Sequence, residues 1–107
     1  MIEVFRYQTE EGDEPLTDWL HSLRDKQAHA KIRVRLKRLE AGNFGDCGPV
    51  GDGVLELREH LGAGYRVYFG RYGQTVVILL CGGSKKSQAT DIKTAKDYWQ
   101  DWKRRQA

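Results

Sequence analysis

The sequence is short of cysteine, of long apolar runs and of clustered metal ligands, and each shortage closes a route. Cysteine occurs twice, at Cys47 and Cys81, too few for the disulfide framework of a small secreted scaffold. The longest apolar run, Val76 to Cys81, falls far short of the roughly 20 residues a membrane-spanning helix needs. No apolar stretch near the start resembles a signal peptide, so the expectation is a soluble, cytoplasmic chain with no membrane partner. His21, His29 and His60 stand apart with no cysteine at ligand spacing, so neither a metal nor any other cofactor is expected. The spacing of a nucleotide-binding loop, GxxxxGK followed by Ser or Thr, is absent as well. No internal repeat or low-complexity tract occurs.

What is there suits one domain, 1–107, with one modest core. The net charge of +3 is unevenly placed. Residues 1–23 carry one basic residue against six acids, and residues 24–44 carry seven against two. Residues 45–83 carry three against four, and the segment from Ser84 carries seven against three. Two basic blocks far apart in sequence either solvate their own helices or meet in space. A merged positive field would favour a phosphate-rich or acidic partner.

Along the chain, "IEVFRY" alternates as a strand, with Ile2, Val4 and Arg6 on one face and Glu3, Phe5 and Tyr7 on the other. Pro15 opens a short helix to about Leu23, with Leu16, Trp19, Leu20 and Leu23 at helical spacing. A longer helix over 26–41 carries the stripe Ala28, Ile32, Leu36, Leu39 and ends at Gly42 or Asn43. Val34 falls off that stripe among Lys31, Arg33, Arg35, Lys37 and Arg38. "FGDCGPVGDG" reads as a loop, and "VLELR", "GYRVYFGRY" and "QTVVILLC" read as three strands. From about Gln88 to Arg105, Ile92, Ala95, Trp99 and Trp102 form a last helical stripe, expected to pack on the sheet. The expected architecture is α+β: an N-terminal strand and helical hairpin, a three-stranded antiparallel meander, and a C-terminal helix on the sheet. Helices confined to one sheet face would leave the other partly open to polar side chains.

Two places carry candidate chemistry. Arg58 and Arg66 share the parity opposite to the apolar strand positions and fall across from each other if "EHLGAG" is a hairpin loop centred near Gly62. Like charges facing across a ladder destabilise it, so either an anion sits between them or each pairs with a neighbouring acid, Glu56 or Glu59. The second place is "CGGSKKSQATD", at the exit of the last strand. Gly82 and Gly83 allow a sharp turn or a close backbone approach, Lys85 and Lys86 can reach the polar face of the sheet, and Ser87 is the better helix cap. Arg58, Arg66, Lys85 and Lys86, with Tyr68 beside them, draw a basic patch able to stabilise charge on phosphorus oxygens. Tyr68 either stacks on a base or simply packs. Glu56 is either a general base or the salt-bridge partner of Arg58.

The pieces "ELR", "G-GYRVYF", an apolar strand, "GG-KK-Q" and "DI--A--YW" together resemble the HigB-like branch of the RelE/ParE toxin superfamily, often called addiction-module killer proteins. The likeness is close from Leu55 to Arg105 and looser before that. It implies the toxin of a type II toxin-antitoxin system, most simply a metal-independent, ribosome-associated mRNA endoribonuclease. By the same resemblance Arg66 is the leading catalytic residue, with Arg58, Lys85 and Lys86, and Tyr68, Arg58 and the lysines contact RNA. The implied partners are mRNA on the ribosome, a cognate antitoxin with a helix-turn-helix domain, and operator DNA bound through the pair. The antitoxin is expected on Arg33, Val34, Arg35, Lys37 and Arg38. No histidine or tyrosine follows the final strand as a general acid, which leaves room for two alternatives: a ParE-like toxin that inhibits DNA gyrase by protein contact, or an antitoxin-bound operator-binding partner.

Overall fold

The run "VVILL" is apolar at every position, and a strand of that kind must be covered on both faces. The computed structural model, which describes residues 1–106, shows it covered in that way. Five strands, β1 (Glu3–Arg6), β2 (Cys47–Gly51), β3 (Val54–Glu59), β4 (Tyr65–Tyr72) and β5 (Val76–Ser84), form one sheet in the order β1-β5-β4-β3-β2. β1 runs parallel to β5, and the other pairs are antiparallel.

The helices α1 (Pro15–Ser22) and α2 (Lys26–Glu40) lie on one face and α3 (Gln88–Gln106) on the other. α1 starts with Pro15 in its first turn, where no amide donor is missed. α2 starts at Asp25, whose carboxylate accepts from the Ala28 amide at 3.1 Å. Their buried stripes, Leu16 and Leu20 with Ile32, Leu36 and Leu39, meet Leu57, Val67, Phe69, Val77 and Leu79. Each such side chain contributes about 1.5–3 kcal/mol when fully buried. On the opposite face Ala95 and Trp99 of α3 pack on Tyr7, Val54, Tyr68, Ile78, Leu80 and Cys81.

The α+β class, the hairpin of helices and the C-terminal helix on the sheet match the expected architecture. Two details differ, and of two expected roles for a glycine pair one is found. The sheet has no open face, because α3 takes the side opposite α1 and α2. A fourth antiparallel strand, β2, lies inside the segment read as a loop; Pro49 is tolerated there because β2 is an edge. Gly82 and Gly83 do not turn the chain but continue β5, and their role is close approach. A Cβ at Gly82 would sit 2.3 Å from the Trp19 ring, and one at Gly70 would sit 2.3 Å from Trp99. A register shift between Tyr68 and Phe69 leaves Leu80 as an extra residue of β5, so Leu80 and Cys81 both reach the α3 side.

Candidate functional site

β3 and β4 pair Glu56 with Tyr68 and Arg58 with Arg66, and β5 sets Cys81 beside Tyr68 and Gly83 beside Arg66. All point to the α3 side, at the end of the sheet where α3 begins. Trp99 covers Gly70 further along, and the apolar contact with α3 runs as far as Tyr68 and Cys81, leaving the charged groups of Glu56, Arg58 and Arg66 beyond it. The cluster is deeply set: Tyr68 is 0% exposed, Glu56 6% and Arg66 9%.

Glu56 is the hinge of the arrangement. Its Oε1 accepts from Arg58 Nη1 at 3.3 Å, and its Oε2 lies 3.5 Å from Arg66 Nε. The second distance makes an ion pair at the outer limit for a hydrogen bond. Glu56 Oε2, Arg66 Nε and Tyr68 Oη have no hydrogen-bond partner among the described residues. Burial, and then the nearby Glu56 and Asp91 carboxylates, push the Tyr68 hydroxyl well above its ordinary pKa. Asp91, from the first turn of α3, reaches this cluster because Gly83 has no side chain, and Ser87 donates to its Oδ2.

Arg58 turns the other way. Its Nε and Nη2 donate to Asp46 Oδ1 at 3.1 and 2.9 Å, and its guanidinium lies over Gly48 of β2. Asp46 Oδ2 is also 2.9 Å from His60 Nε2. Hydrogen bonds from Arg58, then from His60, hold the Asp46 carboxyl below the usual carboxylate range. Arg66, by contrast, keeps its Nε on Glu56 and sends Nη1 towards the β3–β4 turn. There a Cβ at Gly64 would lie 3.8 Å from Arg66 Nη1 and 3.5 Å from Lys85 Cβ. The Gly64 carbonyl accepts from the Lys85 amide at 2.7 Å, so the start of the Lys85–Ser87 3-10 turn is pinned beside Arg66. Lys85 and Lys86 are exposed and form no ion pair among the described residues. The arrangement can hold an anion at its mouth: a fixed guanidinium edge with a lysine beside it, backed by a buried carboxylate that fixes the arginine.

Residues 18–100 match the family described as "Phage derived protein Gp49-like (DUF891)". That span is most of the chain. This protein belongs to the Gp49-like family. It is a phage-derived family linked to toxin-antitoxin systems. A protein of Haemophilus influenzae described as uncharacterized is 54% identical over 78 residues, covering 73% of this chain and 79% of the relative.

In this Gp49-like chain the expected site residues separate into three groups. Arg58 and Arg66 face each other and the backbone of Lys85 is pinned beside them; Lys86 shares the turn, and among the described residues no contact positions either ammonium. Arg58 is held by Asp46 and Glu56, so the reading in which it pairs with a neighbouring acid describes it, and it is no open phosphate receptor. Tyr68 as an RNA contact needs correction: it is enclosed beneath α3 and offers no ring face to a base. The five α2 residues do not share one surface. Val34 is 49% exposed, with Arg38 on the same outer flank. Arg33 instead lines the groove beside β1, and Lys37 borders both sides. Arg35 lines the same groove as Val34 and Arg38 and is also tied inward. It donates to the Arg58 carbonyl at 2.6 Å, to the Asp46 carbonyl at 3.1 Å and to Glu59 at 3.2 Å, strapping α2 to the segment that carries Asp46.

The sequence reading missed Asp46 and Asp91. Asp46 lies just ahead of the unrecognised β2, and Asp91 reaches the site only across Gly83, eight residues before it in the chain. The absent side chain at Gly83, with the close approach it allows, is the one signal visible in the sequence.

Proposed function

We propose that the protein is the toxin of a toxin-antitoxin pair and that it cleaves mRNA on the ribosome. The scissile phosphate is held by Arg66 and by the Lys85–Lys86 turn. The observation that carries this reading is the split of Arg66, whose Nε faces the buried Glu56 while Nη1 points to Gly64, the residue whose carbonyl accepts from the Lys85 amide. A guanidinium fixed from behind loses little freedom when it meets an anion, and its planar edge suits phosphate oxygens. In the strand-cleavage step the ribose 2′-hydroxyl loses its proton to water and attacks phosphorus. The bond to the 5′-oxygen of the next nucleotide breaks and that oxygen takes a proton from water, leaving a 2′,3′-cyclic phosphate and a 5′-hydroxyl. Arg66 stabilises the growing charge on the non-bridging oxygens. Glu56 positions Arg66, and Arg58 with Asp46 holds Glu56. Lys85 and Lys86 attract the RNA backbone from solution.

The antitoxin is proposed on the outer flank of α2, around Val34, Lys31, Lys37 and Arg38, as an amphipathic acidic segment. Two grooves of 340 and 440 Å³ meet at Val34 there. A helix-turn-helix part of that antitoxin would carry the pair to operator DNA.

A second reading rests on the acids. Asp46 and Glu56 neutralise Arg58, so the buried half of the site has no excess of positive charge, as a toxin acting on gyrase by protein contact would allow. Mapping of transcript 5′ ends after induction separates the two. The nuclease reading expects new ends, lowered about 10²–10³-fold in Arg66→Ala, the usual effect of deleting one oxyanion donor. Unchanged ends together with DNA damage would select the gyrase reading.

A further inference from the structure

The two edges of the sheet are finished differently. β2 carries Pro49 and a register shift between Pro49 and Gly51, both of which discourage another strand from pairing. β1 has neither. The amides of Glu3 and Tyr7 donate to Thr75 and Leu79, on the β5 side, so the alternation of the parallel ladder turns the amides and carbonyls of Val4 and Arg6 outward. Towards the start of the strand this outward edge is already used, because the Ile2 amide donates to the Glu40 carbonyl at the end of α2. Val4 to Arg6 is the stretch left open.

The two flanks of that stretch have opposite chemistry. On the side of Val4 and Arg6, a 370 Å³ groove between β1 and α2 is lined by Arg6, Arg33 and Lys37, with Glu40 as its one acid. An adjoining hollow adds His21 and His29 to Arg6 and Arg33. Arg6 donates to the Thr17 hydroxyl, and none of Arg6, Arg33 and Lys37 pairs with an acid among the described residues. On the other side Phe5 is 53% exposed, at the rim of a 460 Å³ hollow with Tyr72, Val76, Ile78, Trp102 and Gln106.

We propose that the Val4–Arg6 edge of β1 accepts an extended strand from a partner protein, with acidic side chains towards Arg6, Arg33 and Lys37 and a large apolar side chain beside Phe5. A strand added there places successive side chains on alternate faces. The residue opposite Phe5 packs on its ring, and its neighbours on either side enter the cationic groove. A second copy of this chain is a poor occupant, since two such edges would bring Arg6, Arg33 and Lys37 of each against the other. The proposal uses only the free edge and its flanks, so it stands or falls separately from the toxin reading.

The test uses the full chain, labelled for amide NMR, and an eight-residue peptide of alternating glutamate and isoleucine. The expected result is a saturable shift of the Val4 and Arg6 amides, with exchange of those two amides slowed at least tenfold. The Arg33→Glu, Lys37→Glu double variant, altered only at exposed helix positions, is expected to weaken binding at least tenfold. N-methylating alternate peptide bonds of the probe is expected to abolish it. The idea is overturned if the two amides do not respond, or if binding persists with the N-methylated peptide or in the double variant. It is also overturned if the two amides become protected with rising protein concentration alone, which would assign the edge to a second copy.

Discussion

Under one helix, the α3 face of the sheet has two halves with opposite chemistry. Towards the end of α3, Trp99 lies on Gly70, Trp102 stacks on Trp99 at 5.4 Å, and Tyr7 stacks on Tyr98 at 4.7 Å. The buried edge of this half is tied down by paired polar groups: the Tyr7 hydroxyl donates to Asp101 at 2.6 Å, and Arg105 bonds both Asp101 and the Gln8 carbonyl. Towards the start of α3, Glu56, Arg66 and Tyr68 are almost as deeply set, yet each has a side-chain polar atom with no hydrogen-bond partner among the described residues. The comparison teaches a division of labour. The aromatic half fixes α3 on the sheet strongly enough for the polar half to hold charges that a stability-driven core would replace.

The largest way to break that comparison is Trp99→Ala, expected to cost about 3–5 kcal/mol in urea unfolding, the range for deleting a large buried aromatic. A loss below about 1 kcal/mol would mean that α3 is anchored elsewhere. Next comes Glu56→Ala, expected to cost about 3 kcal/mol because it strands the buried Arg66 cation. The double variant Glu56→Leu with Arg66→Leu is expected to return to within about 1 kcal/mol of the parent while transcript cleavage stays lost. Equal stability of the single and double variants would show that the ion pair carries no strain. A smaller effect sharpens the account of the Asp46 clamp. A carboxyl whose folded pKa is depressed contributes its stability above the unfolded value and loses it as pH falls through the folded one. The stability gap between parent and Asp46→Asn is therefore expected to be level at neutral pH and to close below the ordinary value of 3.8. A gap that persisted in acid would assign the effect to packing. Smallest is a labelling contrast: burial, then Asp91, raises the Cys81 thiol to about 12, whereas Cys47 is half-buried. A thiol reagent at about pH 8 is expected to modify Cys47 at least tenfold faster than Cys81; equal rates would show that the polar half opens readily.

Periodicity alone placed the three helices to within a residue or two, because amphipathic stripes such as Ala28, Ile32, Leu36 and Leu39 are local and strongly repeated. It also put Arg58 opposite Arg66, since a hairpin centred near Gly62 fixes register. It did not find β2, because a strand with two glycines and a proline has no alternation to read and forms only where β3 offers an edge. Nor did it see Tyr68 as enclosed. Strand parity says which face a residue takes, and nothing in "YRVYF" says that α3 will cover that face.

The order of amino acids by itself therefore determined the three helices, four of the five strands with their parity, and the cross-strand meeting of two arginines. All of these follow from patterns among residues near in sequence. Only the tertiary structure decided what holds each of those arginines. Asp46, Asp91 and Gly48 reach the site from separate elements, and the charge a side chain presents depends on what has folded next to it. The same holds for the free edge of β1, which is an edge only because the chain ends its sheet there.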